Sequence, residues 1–272
     1  MLSLEDFESI RQVIYREAGL FFADNKIDFL SRRVAMRMAA LGLESARDYS
    51  RYLRFNQDGT EQEALIELVI TYESYFFRDY PQLKMFAEEV LPMLADSQKA
   101  STKQLNLLSA GCSTGEEAYT LGIILREMLD NLDQWHIRVD GVDINRRLLA
   151  RAKAAIYNSR SLRETPNLYK DRYFERTGND FALSETVRRM VRFSRVNIFN
   201  KAQMDALPLY DVVFCRNVLI YFDHESAAKV MGLLYEHMKP GAFIFLGAAE
   251  SVGRLSGLFE MIRIGNSFLY RK

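Results

Sequence analysis

The chain has 272 residues, about half of them apolar and a quarter charged, enough to bury a sizeable core in two domains. Its 36 lysines and arginines balance 36 aspartates and glutamates, so no net field draws it to nucleic acid or an anionic membrane. Two distant cysteines, Cys112 and Cys215, and three scattered histidines predict a reduced cytoplasmic protein without disulfide or structural metal; no signal peptide and no apolar run of ~18 residues is seen.

Residues 1–75 read as helices only. Ser3 with Asp6 is an N-cap signal, followed by an apolar stripe of Phe7, Ile10 and Ile14. Lys26 to Ala40 predicts a second amphipathic helix, with Ile27, Leu30, Val34 and Met38 on one side, Arg33 and Arg37 on another, and Gly42 ending it. Tyr49–Phe55 and Glu61–Ile70 complete a small bundle. Residues 76–103 give a bridging helix from Asp79 to about Ala95 and a polar linker over 96–103.

From residue 104 to 272 the pattern changes. Short β-type runs at 105–110, 137–142, 211–215 and 242–247 alternate with helical patterns, which predicts parallel strands with crossover helices. Residues 261–264 and 267–271 read as a final hairpin. A small β-subdomain interrupts the rhythm over about 172–195, around Gly178. Between Arg146 and Arg195 thirteen basic residues face five acidic ones, either a solvated surface or a face for an acidic partner.

Leu105–Ala110, the turn Gly111–Gly115 and the helical pattern after it form a strand, glycine turn and helix, the geometry that lets backbone approach a nucleotide-sized ligand. No Lys follows Gly115, so the turn is no P-loop, and Glu116 and Glu117 would repel a pyrophosphate. Two acids there suit a ligand with an amine and a sulfonium, which describes S-adenosylmethionine. A tight turn without ligand is the plainer alternative. Asp143 ends the second strand, where a carboxylate accepts hydrogen bonds from ribose hydroxyls or caps the next helix. Asn197-Ile198 offers an amide for an adenine edge and an apolar side chain for its ring, or simply a turn asparagine. Arg216, Asn217 and Tyr221 follow the fourth strand and suit the floor of a cleft. No Asp-Pro-Pro-Tyr or Asn-Pro-Pro-Tyr occurs, which speaks against an amino-methylating nucleic-acid enzyme.

Three motifs in order, Ser74-Tyr-Phe-Phe-Arg-Asp79, Gly111-Cys-Ser-Thr-Gly-Glu-Glu-Ala-Tyr119 and Phe214-Cys-Arg-Asn-Val-Leu-Ile-Tyr-Phe-Asp223, resemble the chemotaxis receptor methyltransferases, the CheR family, over nearly the whole chain. The resemblance implies an all-α N-terminal domain (1–75), then an α/β, Rossmann-like class I methyltransferase domain (104–272) with the β-subdomain inserted. It implies transfer of methyl from S-adenosylmethionine to glutamate side chains of methyl-accepting chemotaxis proteins, leaving S-adenosylhomocysteine. The implied cofactor contacts fall on Ser74, Arg78, Gly111, Glu117, Asp143, Asn197, Ile198, Arg216, Asn217 and Tyr221, with Glu117 at the methionine amine, Asp143 at the ribose and Asn197-Ile198 at the adenine. Arg78 and Tyr221 would lie near the transferring methyl as catalytic residues. Tyr72 stands where the family usually has Asn or Thr, so a hydrogen bond from that position is in question.

A glutamate carboxylate is already ionised at neutral pH, so the implied reaction needs no general base. Arg32, Arg33 and Arg37 would dock along glutamate-rich receptor helices, a solvated helix face being the alternative. The loop at Gly178 is shorter than the glycine-rich loop of tethering members, which implies no receptor-tail tether. A monomer with no nucleic-acid partner and no membrane insertion is expected. A non-catalytic adaptor with the same fold is the competing reading.

Overall fold

The computed structural model describes residues 2–56, 58–97, 103–247, 250, 257–264 and 267–272. Four helices come first: α1 (Leu4–Ala18), α2 (Ile27–Leu41), α3 (Ala46–Phe55) and α4 (Thr60–Val69). The Ser3 hydroxyl accepts the Asp6 N–H at 3.1 Å and so satisfies one of the unpaired donors of the first turn of α1. Phe7, Ile10, Ile14, Leu30, Val34, Leu53 and Leu65 share one core. Inside it Glu61 is 3% exposed and carries two Arg37 hydrogen bonds, at 2.9 and 2.6 Å, and one from the Tyr49 hydroxyl at 2.7 Å. Arg37 therefore ties α2 to α4, while Arg32 is exposed and Arg33 stacks on Phe29.

The bridging helix is built of α5 (Tyr80–Met85), a π turn (Phe86–Val90) and α6 (Leu91–Ser97). Residues 98–102 of the expected linker lie outside the described residues. Next come β1 (Gln104–Ala110), α7 (Glu116–Met128), β2 (His136–Asp143), α8 (Arg146–Ala154), β3 (Ile156–Tyr157), α9 (Asn167–Tyr173), β4 (Phe174–Thr177), β5 (Asp180–Leu183), α10 (Glu185–Arg188) and β6 (Val191–Arg195). The chain ends with α11 (Lys201–Met204), β7 (Tyr210–Cys215), α12 (His224–Glu236), β8 (Met238–Leu246), β9 (Glu260–Ile264) and β10 (Ser267–Arg271).

Seven of these strands form one sheet in the order β6-β2-β1-β7-β8-β10-β9, parallel from β6 to β8 and antiparallel at the β10-β9 hairpin. Its central strands are buried on both faces. Val212 and Phe214 pack into one core and Val213 and Cys215 into the other, as the two-residue period of a strand requires. The expected insert divides differently from the sequence reading. Val191–Arg195 joins the main sheet beside β2, and Ile156–Tyr157 pairs with β5 in a three-stranded sheet, β3-β5-β4. Phe193 explains the first difference: its ring fills the space over Gly141 and Gly115, where an added Cβ would stand only 2.6 and 2.9 Å away.

Candidate functional site

In the sheet register Ala110 lies beside Val142, and Ser109 beside Phe214, so β1, β2 and β7 end together. Their carboxyl ends open on a cleft at the point where the chain leaves β1 in both directions, where α/β sheets bind ligands. The bundle supplies the facing wall through Ala18, Leu20 and Ile70. Leu20 forms a bridge with Phe222, and the Phe21 N–H donates to the Tyr221 carbonyl at 2.9 Å. All ten residues nominated for the cofactor line this cleft.

Gly111 sits at φ 72°, and a Cβ there would stand 2.6 Å from Val218 Cγ2, so the turn needs glycine on both counts. Asp143 ends β2. Its Oδ2 accepts the Ser113 N–H at 2.8 Å and its Oδ1 the Asn145 N–H at 2.9 Å. Burial pushes its carboxyl above the usual range, while these N–H groups and that of Ile144 pull the other way. Asn145 rather than Asp143 caps α8, accepting from the N–H groups of Arg147 and Leu148. The remaining lone pairs of Asp143 are left for other donors.

The two adjacent acids of α7 part company. Glu116 is buried and turns away, accepting from the hydroxyls of Thr114 and Ser161 at 2.6 and 3.1 Å. Glu117 faces the cleft, where Oε1 accepts from the Ser109 hydroxyl at 2.7 Å and Oε2 from Arg216 Nε at 2.8 Å. Arg216 is itself buried, and its Nη1 donates to the Arg78 carbonyl at 3.0 Å. One guanidinium thus fixes both Glu117 and the segment that carries Arg78. That segment is strained, with Phe77 at φ 59° and Asp79 at φ 55° on either side of Arg78. Arg78 Nη1 donates to the Glu73 carbonyl at 2.8 Å. Ser74 lies on the same strap.

Asn217, also at positive φ (59°), donates its N–H to Glu250 Oε2 at 2.9 Å. The Tyr221 hydroxyl donates to the Thr71 carbonyl at 2.8 Å. Asn197 does not present the free amide that the sequence suggests. Its Nδ2 donates to the Glu17 carbonyl at 2.7 Å and its Oδ1 accepts the Phe199 N–H at 3.0 Å, so it latches the end of β6 to the end of α1. Ile198, Ile144 and Leu148 give that part of the cleft an apolar wall. Tyr72 lines the cleft, and its hydroxyl accepts from Arg151. Sequence reasoning missed Leu20, Ile144 and Leu148, which have no polar group to mark them. It also missed Glu250, four residues beyond the end of β8, whose carboxylate meets Asn217 only in the fold.

Among the described residues no group of His, Cys, Asp and Glu is arranged to hold a metal, and no helix is long and apolar enough to cross a membrane.

Comparison with known proteins identifies the family. A family model for the SAM-binding domain of CheR methyltransferase matches residues 72–268, and one for the CheR all-alpha domain matches residues 5–70. Chemotaxis protein methyltransferase 2 of Vibrio cholerae is 35% identical over 268 residues, covering 98% of this chain and 92% of its own length. The chemotaxis protein methyltransferase of Escherichia coli is 31% identical over 267 residues, 96% of this chain and 90% of that protein. A probable biofilm formation methyltransferase, WspC, of Pseudomonas aeruginosa is 34% identical over 247 residues, 89% of this chain but 56% of that longer protein.

Proposed function

The chain belongs to the CheR methyltransferase family and is an S-adenosylmethionine-dependent methyltransferase, and from that premise we propose that it esterifies glutamate side chains on the cytoplasmic helices of methyl-accepting chemotaxis proteins. One observation carries the choice of acceptor. Among the described residues the cleft is lined by no histidine or lysine; Glu117 is engaged by Ser109 and Arg216, Asp143 by backbone N–H groups, and Glu73 lies at the edge in exposed ion pairs with arginines. No general base is poised there. An alcohol, phenol or ammonium acceptor would have to lose a proton; a glutamate carboxylate has lost its own.

The donor set fits the cofactor. Glu117 offers an acceptor to an ammonium, Asp143 to ribose hydroxyls, and Ile198, Ile144 and Leu148 an apolar wall to an adenine ring. Gly111 lets backbone come close. When bound, S-adenosylmethionine supplies a methyl group on a sulfonium, open to displacement by an oxygen nucleophile. The chain's own part is then positioning and dehydration, which can remove roughly 7–11 kcal/mol from a bimolecular barrier. Arg78 orients the acceptor carboxylate or the cofactor's own carboxylate through paired N–H donors. Too strong a grip on the acceptor would stabilise the anion that the reaction consumes. Because Arg78 already shares a donor with the Glu73 carbonyl, that grip is moderated. Tyr221 closes the pocket.

Arg32 and Arg33 are the candidates for meeting an acidic receptor helix along α2, and Arg37 is left to the bundle core. The Gly178-Asn179 turn between β4 and β5 is a two-residue hairpin loop, which suits an enzyme without a receptor-tail tether. Relatives carry names from both chemotaxis and biofilm formation, so the proposal concerns the reaction and not the behaviour it adjusts.

The test is transfer of labelled methyl to a receptor cytoplasmic fragment, read as base-labile volatile methanol, with Arg78→Ala beside the wild type. Base-labile label that falls at least tenfold in the variant supports the proposal, since a charge-assisted hydrogen bond contributes about 1.5–3 kcal/mol. Label that resists base would sink it.

A further inference from the structure

A second cleft adjoins the first, and only the strap Tyr72-Glu73-Ser74 separates them, its three residues lining both. Its rim carries three arginines, Arg151, Arg160 and Arg163. Arg160 and Arg163 each place Nη2 on the same oxygen of Glu73, at 3.3 and 3.2 Å. Arg163 lies over the Tyr75 ring, its Cζ 3.5 Å from the centroid, and donates through Nη1 to the Arg160 carbonyl at 3.0 Å. Arg151 is held by the Tyr72 hydroxyl. Two guanidiniums are therefore already posed around a carboxylate, beside the cleft that Arg78 lines. That carboxylate is weakly held: the Glu73 side chain is 56% exposed and that of Arg160 is 78% exposed, where an ion pair contributes little.

We propose that the Arg160–Arg163 pair, supported by Arg151, is a subsite for a second carboxylate of the acceptor segment, and that Glu73 occupies it until that segment docks. The occupant is an acidic helical stretch, on which side chains three or four residues apart share a face and so present one carboxylate to Arg78 and a neighbour to the rim. Exchange of one carboxylate for another leaves the rim's charge unchanged, so docking exposes no unpaired guanidinium. The backbone of Glu73 holds Arg78 while its side chain holds the rim, which places the handover on one residue. The surplus of basic residues between Arg146 and Arg195 finds part of its use here. The inference deepens the glutamate-acceptor reading and rests on it for the identity of the segment.

Binding of a glutamate-rich helical peptide is measured by fluorescence anisotropy in the full chain, with its all-glutamine counterpart as control and cofactor affinity measured in parallel. The double variant Arg160→Gln/Arg163→Gln weakens the acidic peptide roughly two- to fivefold, since the peptide's pairs replace those of Glu73 and the net gain is less than two whole ion pairs, and it flattens the dependence on salt. Cofactor affinity stays as in the wild type. Glu73→Gln tightens the acidic peptide, and in methyl transfer it lowers KM. Acidic-peptide affinity unmoved by the double variant, or weakened by Glu73→Gln, overturns the subsite. Peptide binding that depends on Arg160 and Arg163 in a protein that forms no base-labile ester would leave the subsite standing and remove the glutamate reaction.

Discussion

Asp143 is the residue at which burial and binding act on one proton. Burial holds its carboxyl above the ordinary range, so within the folded chain it keeps a proton to higher pH than in the unfolded one. The fold without cofactor therefore loses stability as pH rises through that raised value, because the unfolded chain ionises first. In the proposed site cofactor binding runs the other way, since ribose hydroxyls donate more strongly to the ionised carboxylate than to the acid. Affinity for S-adenosylmethionine should thus fall as pH drops through the raised value, above the usual aspartate range near ~3.9. Asp143→Asn should weaken the cofactor roughly tenfold to a hundredfold and abolish this acid limb, because hydrogen bonds to a charged group contribute about 1.5–3 kcal/mol. Calorimetric titration across pH checks both; a variant that keeps the wild-type acid limb would assign the proton elsewhere. Asn197 makes the complementary point about what a sequence conceals. Its amide reads as a ligand group because its partners, the Glu17 carbonyl and the Phe199 N–H, are backbone atoms whose approach depends on the tertiary fold.

Arg37 changes meaning once the helices are packed. On the helical wheel of α2 it continues a basic stripe; in the bundle it answers Glu61, which is all but excluded from water. Removing one partner of such a pair leaves the other uncompensated, so Arg37→Met should cost roughly 3 kcal/mol of stability even though Arg37 is partly exposed. The double change Arg37→Met/Glu61→Leu should recover part of that loss, though the Tyr49 hydroxyl then lacks its acceptor. Denaturant unfolding of the three variants measures it, and an Arg37→Met protein as stable as the wild type would return Arg37 to the docking face. The larger elements were readable because their periods are long and consistent. The cores of β1, β7 and β8 are short apolar runs, Gly111 ends the first of them, and Ser3 and Gly42 bound helices α1 and α2 by local chemistry. Ile156–Tyr157 was not readable, since a two-residue strand has no period and exists only by pairing with Ala182 and Phe181.

Three cores hold the molecule: one in the bundle and one on each face of the sheet. Bundle and sheet are joined by Ile144, Tyr221 and Phe222 packed on the bundle core and by polar contacts such as Arg146 and Arg195 on Glu63 and Asn145 Nδ2 on the Glu67 carbonyl. The Leu20–Phe222 bridge adds a backbone contact, and Gly19, whose Cβ would meet the Phe199 ring at 2.5 Å, permits the close approach. Exposed ion pairs of this kind couple two cores only weakly. The cleft proposed for the cofactor lies across the junction, with Asp143 and Gly111 from the sheet and Ala18, Leu20 and Ile70 from the bundle. A ligand that touches both walls binds only when both are folded, so it stabilises them as one body. At a hundredfold excess over Kd that linkage adds about 2.7 kcal/mol. Calorimetry should show the bundle and the sheet unfolding in two overlapping steps without cofactor and in a single, hotter step with it. Leu20→Ala should lessen the merging while leaving the sheet's own step in place, because it strips one wall and no contact of the sheet core. If the bundle's step stays fixed while the sheet's step rises with cofactor, the bundle is no part of the binding site and the cleft belongs to the sheet alone.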